Sequence, residues 1–182
     1  MQQNHSIQVA RNSLFGNAVI RFELSRATGI SNEQLEFTTS LYGKPLFVNN
    51  PDIHFNISHA GNYIVCAFDD RPVGIDVEHI KSVNLKITER FFSTNKKKYV
   101  MEKDSINRFY EVWTKKESRI KWEGKGLYML STFCVFDKYE ESSPSYHCVM
   151  QDTNAVCHVC STKKDMPSIK IIDSESFIKN LL

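Results

Sequence analysis

Three acidic residues in two short segments have the types and spacing that could support chemistry. Asp76 and Glu78 stand two positions apart in the apolar segment VGIDVEHI, and Glu117 stands among lysines in WTKKESRIKWEGKG. On a strand, residues i and i+2 share a face, so the first two carboxylates point the same way with Cα atoms ~6.7 Å apart. At an effective dielectric constant of ~20, their repulsion is on the order of 2.5 kcal/mol. Such a pair needs either water or a cation between its members.

The third acid lies on the apolar side of a predicted helix. Phe109, Trp113 and Ile120 mark that side, and Glu117 follows Trp113 by one turn. An acid on a core-facing stripe is uncommon unless it is paired or binds a metal. Lys121 lies four residues after Glu117. A surface pair between these two would be worth only ~0.3–0.5 kcal/mol.

The residues alone leave two interpretations open. In the first, Asp76 and Glu78 line an exposed strand face, and Glu117 with Lys121 forms a surface pair. In the second, the three carboxylates hold Mg²⁺, which prefers few carboxylates together with waters and phosphate oxygens, while Lys116 and Lys121 flank that phosphate. Metal and lysines would offset the charge of phosphoryl transfer, and a base would free the nucleophile. The second interpretation therefore describes a Mg²⁺-dependent enzyme that acts on a phosphate.

Two further segments are weaker candidates for a site. Ser58 and His59 end a predicted strand before a turn, where both side chains could reach a cleft. Neighbouring strand residues point apart, which argues against a Ser-His nucleophile pair and leaves a phosphate donor or a plain turn residue. The segment YGKP (42–45) is a turn, and no phosphate-cradling glycine-rich loop has the required spacing.

Composition bounds the class of protein. A chain of 182 residues fits one domain or two small halves, and a net charge of +2 argues against a general nucleic-acid binder. No apolar run approaches the ~20 residues of a membrane span. Five cysteines are an odd number, and Cys157 and Cys160 lie in an alternating segment where they point to opposite faces. We therefore expect strand cysteines, a reducing cytoplasmic location, and neither a membrane nor a nucleic acid as partner.

Periodicity predicts an α+β fold with mainly antiparallel strands. Segments 54–59 and 63–70 are predicted strands joined by a tight turn, and the strand 73–80 is expected to pair with the second of them. The other predicted helices cover 11–27, 85–92, about 93–103 and about 105–123. The other predicted strands are QLEFTT, TFCVFD, YHCVMQ, AVCHVCS and SIKIID, and SESFIKNLL is a short amphipathic tail, strand or helix. The predicted halves are 1–71 and 72–182.

Together, FNISHAG, VGIDVE, RFFS and WTKKESRIKWEGKGL occur in an order that resembles the 4′-phosphopantetheinyl transferases of the surfactin-synthetase-activating type. The resemblance runs from about Arg11 to the C-terminus. It implies transfer of 4′-phosphopantetheine from coenzyme A to a serine of apo peptidyl, acyl or aryl carrier proteins, with Mg²⁺ and release of adenosine 3′,5′-bisphosphate. It also implies a monomer of two similar α+β halves, related by a pseudo-twofold axis, with coenzyme A between them.

The resemblance also assigns roles to individual residues. Asp76, Glu78 and Glu117 match Mg²⁺ ligands, Glu117 is the candidate base, and Lys121 would stabilise or protonate the pyrophosphate. The remaining expected contacts of coenzyme A are Arg11, Lys44, Ser58, His59 and Lys116. The segment from about Gly124 to Ala155 resembles the carrier-docking region, where Leu127, Tyr128 and Met129 fit either docking or core packing.

Two departures from the family pattern motivate an alternative. Relatives carry a few dozen more residues before the position of Arg11, so the N-terminal half is expected to be shortened. Many relatives also place a glutamate where this chain has Lys96, three residues after the serine of FFS. The alternative is a degenerate relative that binds carrier protein or coenzyme A with little turnover. An unrelated Mg²⁺-dependent phosphohydrolase is a third hypothesis.

Overall fold

The computed structural model describes residues 2–126, 129–130 and 143–181. The helices are α1 (Gln2–Thr28), α2 (Ile87–Phe91), α3 (Thr94–Glu102), α4 (Ser105–Glu123) and α5 (Ser174–Leu181). The strands are β1 (Phe37–Thr39), β2 (Pro45–Phe47), β3 (His54–Ala60), β4 (Tyr63–Asp69), β5 (Val73–His79), β6 (Ser145–Gln151) and β7 (Ala155–Ser161). The predicted α+β class is confirmed. The predicted strand TFCVFD, and Leu127 and Tyr128, lie outside the described residues.

Strand pairing differs from the prediction at one place. The described strands form antiparallel sheets β1–β2, β3–β4 and β5–β7–β6. The β3–β4 hairpin is as predicted, but the expected pairing of β5 with β4 is wrong, because β5 pairs with β7 from Val73↔Ser161 to His79↔Ala155. Every residue of β7 is buried, so this strand occupies the centre of its sheet and needs β5 along one edge.

The C-terminal segment returns to the first helix. The predicted strand SIKIID is wrong, since residues 162–173 form no strand and Ile171 is 93% exposed. None of the described strands pairs with that segment, so its apolar alternation is not used there for pairing. The tail itself is helical, and Phe177 of α5 packs edge-on against Phe22 of α1 with ring centroids 5.6 Å apart.

Helix boundaries follow local chemistry. The longest helix with an apolar stripe, α4, ends at Gly124, whose left-handed φ of +66° closes a backbone hydrogen bond to Ile120. The predicted first helix begins earlier than expected, at Gln2 rather than at residue 11. Among the described helices, none combines the length and apolarity that a membrane span requires.

The cysteines of β7 are core residues, as predicted. Cys157 and Cys160 are fully buried free thiols, and burial raises the pKa of each to about 12. A thiol with such a pKa stays protonated at neutral pH and is a poor nucleophile and metal ligand.

Candidate active site

Strand β5 lies between two different partners, and this arrangement positions the site. Its residues Val73, Ile75 and Val77 pack in one apolar cluster that the β3–β4 hairpin completes. Its opposite face lies under α4, where Gly74 meets the helix backbone. A Cβ at Gly74 would lie 2.0 Å from the carbonyl oxygen of Ser118, so only glycine allows the helix to approach this closely.

Asp76 is the centre of a buried polar cluster. Its Oδ1 accepts hydrogen bonds from Lys121 Nζ at 2.7 Å and from Ser58 Oγ at 3.0 Å. Lys121 Nζ also donates to Ser58 Oγ at 2.8 Å, so the three side chains form a closed triangle. Lys121, for which one open interpretation was a surface pair with Glu117, forms an ion pair with Asp76, because α4 lies directly against β5. Asp76 is only 4% exposed.

The other two acids lie beside this cluster. Burial, and then the negative charge of Asp76, raise the pKa of Glu117 to about 7. The same two causes raise the pKa of Glu78, and the indole of Trp113 donates a hydrogen bond to its carboxylate. Burial also raises the pKa of Asp76 in spite of Lys121 and Ser58. For each of the three acids, burial outweighs the cations and donors that surround the carboxylate.

The three carboxylates fit a cation in charge, although no ready-made coordination group is present. Among the described residues, no three histidine, cysteine or acidic side chains are arranged so that they could already hold a metal ion. Lys121 acts as the internal counter-ion of Asp76 Oδ1. The other oxygen, Asp76 Oδ2, is buried and has no hydrogen-bond partner in the described part of the chain. An orphan carboxylate oxygen of this kind is a suitable ligand for Mg²⁺.

The predicted coenzyme A contacts are divided between two faces of β3. Ser58 is buried in the cluster with Asp76, whereas His59, the next residue, is half-buried on the opposite face of the strand. That opposite face packs against α1, since a Cβ at Gly16 of α1 would meet the Ile57 side chain. Arg11 is exposed on α1, with its guanidinium carbon 5.7 Å from the Phe15 ring centroid.

The two other predicted phosphate contacts lie in enclosed positions. Lys44 Nζ donates to the carbonyl oxygens of Val73 at 3.0 Å and Trp122 at 3.2 Å, so it ties the first turn region to β5 and to the end of α4. Burial lowers the pKa of Lys44 to about 8. Lys116 is fully buried on α4, where its charge acts on Glu117. Lys121 is more accessible than Lys116, with 27% of its side chain exposed.

The sequence did not indicate the role of His158, a buried histidine of β7 that contacts α4. His158 lies opposite Asp76 on β7, and its Nδ1 is 2.8 Å from Thr114 Oγ1. Thr114 Oγ1 also lies 2.8 Å from the Tyr110 carbonyl oxygen; when its hydroxyl donates there, it accepts from Nδ1–H of His158. The alternating pattern of β7 indicated burial, but the partner on α4 is 44 residues away in sequence.

We expect His158→Gln to reduce the acid sensitivity of the fold. Burial, and then the charge of Lys115, lower the pKa of His158 from 6.5 to about 3. Between pH 6.5 and about 3, His158 therefore binds a proton in the unfolded chain but stays neutral in the folded chain. The free energy of unfolding falls by up to about 1.4 kcal/mol per pH unit in this window because of this one residue.

Urea unfolding of both proteins at pH 7.5, 6.0 and 5.0 measures the contribution of His158. The difference in stability between wild type and His158→Gln should narrow as the pH falls. A difference that stays constant over this range would contradict the assigned neutral histidine.

Comparisons with known proteins identify the family of this chain. The sequence model of the 4′-phosphopantetheinyl transferase superfamily matches residues 72–177, and that of the 4′-phosphopantetheinyl transferase N-terminal family matches residues 2–71. The chain belongs to the 4′-phosphopantetheinyl transferase superfamily. It is therefore an enzyme of the 4′-phosphopantetheinyl transferase class.

Individual relatives show which 4′-phosphopantetheinyl transferases the chain is similar to. The chain is 37% identical to 4′-phosphopantetheinyl transferase Sfp of Bacillus subtilis (strain 168), over 86% of this chain and 70% of that protein. It is 34% identical to 4′-phosphopantetheinyl transferase ffp of Bacillus subtilis, over 93% of this chain and 82% of the relative. It is 40% identical to 4′-phosphopantetheinyl transferase gsp of Aneurinibacillus migulanus, over 78% and 60% of the two chains. The predicted family resemblance is confirmed.

Proposed function

We propose that this enzyme transfers 4′-phosphopantetheine from coenzyme A to a serine hydroxyl of apo carrier proteins, in a Mg²⁺-dependent reaction. The serine oxygen forms a bond to the pantetheine-bearing phosphorus, and the bond from that phosphorus to adenosine 3′,5′-bisphosphate breaks. One observation carries the proposal: Glu117, with a pKa of about 7, lies beside the Asp76–Lys121–Ser58 triangle. The candidate base and the candidate phosphate-binding cation therefore lie in one cluster.

Glu117 is the proposed general base. A carboxylate with a pKa near the working pH takes a proton from a hydroxyl more readily than one with the usual pKa near 4.5. Lys121 holds a positive charge at the mouth of the cluster, where it stabilises charge that develops on the pyrophosphate. Ser58 fixes Lys121 and Asp76 relative to each other through its hydroxyl.

Asp76, Glu78 and Glu117 are the proposed ligands of Mg²⁺. Burial raises the pKa of each carboxylate, so a bound cation would favour the ionised forms, and within the described residues Asp76 Oδ2 accepts no hydrogen bond. When bound, the ion would neutralise negative charge on the phosphates of coenzyme A. Trp113 holds Glu78 in place through its indole N–H, within an aromatic stack whose Phe109 ring centroid lies 5.6 Å away.

The wider coenzyme A site is proposed to extend over both faces of β3. Ser58 and Lys121 would contact the pyrophosphate, and His59 and Arg11 would contact the nucleotide end on the side of α1. Lys44 and Lys116 keep their proposed roles, but Lys44 would reach a phosphate only after leaving its two carbonyl partners, and Lys116 only after leaving its buried position. The pseudo-twofold relation, the division at residue 71, the shortened first half and the monomeric, cytoplasmic state remain predictions.

Mass spectrometry of a carrier protein tests the proposed function. Purified enzyme is incubated with apo carrier protein, coenzyme A and Mg²⁺, and the carrier is then weighed. Gain of one phosphopantetheine group is the expected result. Carrier binding without gain of mass would instead support the degenerate-relative alternative. Lys96, one of the two departures that motivate that alternative, is fully buried. Release of phosphate without carrier modification would support a phosphohydrolase.

The transfer rate is expected to fall as the pH drops below 7. Glu117 must be deprotonated to act as a base, and its raised pKa of about 7 places the protonated form in excess below that pH. The rate should fall roughly tenfold per pH unit well below the pKa. A bound cation favours the ionised carboxylate, so the same limb should move to lower pH as the Mg²⁺ concentration rises.

Rates of carrier modification between pH 5.5 and 8.5, at low and at saturating Mg²⁺, test this expectation. Circular dichroism at each pH controls for unfolding. A rate that is flat from pH 5.5 to 8.5 at low Mg²⁺ would remove Glu117 from the role of base.

A further inference from the structure

Two side chains of β3 bind the backbone of β5 at the positions that flank Asp76. Asn56 Oδ1 accepts a hydrogen bond from the Ile75 N–H at 2.9 Å, and Ser58 Oγ accepts one from the Val77 N–H at 3.4 Å. Both acceptors are buried, with Asn56 5% and Ser58 7% exposed. The two bonds therefore hold the backbone amides of the residues directly before and after Asp76.

Along this edge of β5, side chains of β3 accept the backbone hydrogen bonds that a paired strand would otherwise accept. Alternate N–H groups of a strand point to opposite edges, so the amides of Ile75 and Val77 face away from β7, which pairs along the other edge. Asn56 and Ser58 are two residues apart on β3, as Ile75 and Val77 are on β5, and the matching spacing lets both bonds form together. The β3–β4 hairpin thereby fixes the position of β5 along the strand direction.

We infer that Asn56 is a positioning residue for the transfer reaction, because it fixes the backbone that carries Asp76 against Lys121 and Ser58. The inference deepens the proposed function and rests on it. Within the described residues, the hydrogen bond of Asn56 goes to the β5 backbone and not to Glu117 or Lys121, so Asn56 acts through Asp76. The Asp76 Oδ1–Lys121 Nζ distance of 2.7 Å leaves little room for a shift of β5.

Loss of the Asn56 acceptor should lower activity more than stability. Residues that orient a ligand from behind typically change metal affinity or activity by about 10–100-fold when they are replaced. We expect Asn56→Ala to reduce kcat for carrier modification at least tenfold. The KM for coenzyme A should change by less than threefold, because the adenine end is bound elsewhere.

The chain offers its own conservative replacement. Ser58 already bonds a β5 amide through a hydroxyl, which shows that a serine side chain on β3 can reach that strand. Asn56→Ser should therefore recover most of the activity that Asn56→Ala loses. Asn56→Cys, of similar size but with a weak acceptor, should not recover it. If Asn56→Ala fails to fold, the serine and cysteine variants form the decisive pair.

Ser161→Ala is the matched control. Ser161 is also buried, at 4% exposure, and its hydroxyl joins the two parts of the chain by donating to Asp69 Oδ2 at 3.1 Å. It contacts neither Asp76 nor Asn56 in the described structure. Its removal should lower the midpoint of thermal unfolding about as much as Asn56→Ala does, while kcat stays within twofold of wild type.

Three measurements separate the possible outcomes: kcat with KM for coenzyme A, thermal unfolding with and without Mg²⁺ plus coenzyme A, and amide hydrogen exchange at Val77. The inference predicts a large fall in kcat, a smaller stabilisation by Mg²⁺ plus coenzyme A, and faster Val77 exchange in Asn56→Ala only. Equal kcat losses in Asn56→Ala and Ser161→Ala, or unchanged Val77 exchange, would overturn it. An inactive wild type would refute the proposed function, and Val77 exchange would still decide whether Asn56 fixes β5.

Discussion

Glu117→Ala and Glu117→Gln are expected to lose transfer activity by at least about 100-fold while the fold persists. A positioned general base contributes typically 10²–10⁴-fold to a rate, and either change removes the only carboxylate on α4 that faces Asp76 among the described residues. The glutamine keeps the size of the side chain, so its loss of activity cannot be attributed to a cavity.

The stability of the same variants carries a second, opposite expectation. At pH 8, Glu117 is ionised in a buried position near Asp76 and Glu78, which is why its pKa lies near 7. An acid with a raised folded pKa destabilises the fold above that pH, relative to a neutral side chain. Glu117→Gln should therefore unfold at the same temperature as wild type or higher at pH 8, and this advantage should vanish below pH 5.

Glu111 provides the matched control on the same helix. Burial alone would raise its pKa, but hydrogen bonds from Lys115 and Tyr99 lower it, so its ionised form is stabilised. Glu111→Gln should lower thermal stability at pH 8 and leave carrier modification within about threefold of wild type. If both variants lost activity equally, or if Glu117→Gln kept a tenth of the wild-type rate, the assigned role of Glu117 would be wrong.

Local patterns indicated the faces of β5 and α4 on which the three candidate acids lie, but not the contacts of those acids. The two-residue spacing of Asp76 and Glu78 and the helical position of Glu117 follow from periods of 2 and 3.6, which a sequence displays directly. The partner of Lys121 does not, because Asp76 lies 45 residues earlier and the i+4 neighbour Glu117 is the nearer choice. Charge alone could not distinguish these two acids.

The long-range pairing of β5 was hidden for a related reason. The segment before β5 ends in Arg71 and Pro72, which favours a turn and hence a hairpin with β4. The observed partner β7 lies some eighty residues later, and only its burial at every position explains why it takes that place. The bonds from Asn56 and Ser58 to β5 could not be foreseen either, since side chains rarely replace a strand partner.

The change with the largest combined effect is expected to be Gly74→Ala. The new Cβ would lie 2.0 Å from the Ser118 carbonyl oxygen and 2.4 Å from the Trp122 nitrogen, both backbone atoms of α4. Because these atoms cannot rotate away, α4 must move as a body. Such overpacking costs typically about 1–3 kcal/mol of unfolding free energy.

The shift of α4 should also reach the chemistry. Glu117 and Lys121 each directly precede one of the two contact residues on α4, Ser118 and Trp122. Asp76 follows Gly74 by two residues, so displacement of α4 separates Lys121 from Asp76. A misplacement of about 1 Å can lower a rate by about 100-fold. We therefore expect Gly74→Ala to reduce carrier modification at least tenfold, measured at a temperature where circular dichroism shows the variant to be folded.

Gly16→Ala distinguishes this mechanism from a general intolerance of added methyl groups. Its Cβ would also lie 2.0 Å from another atom, but that atom is Ile57 Cδ1, the far end of a flexible side chain. Alanine is in addition favoured over glycine inside a helix by up to about 1 kcal/mol. Gly16→Ala should therefore stay within about 1 kcal/mol of wild type and keep most of its activity. If both alanine variants behaved alike, the close approach of α4 to β5 would not be what holds Lys121 against Asp76.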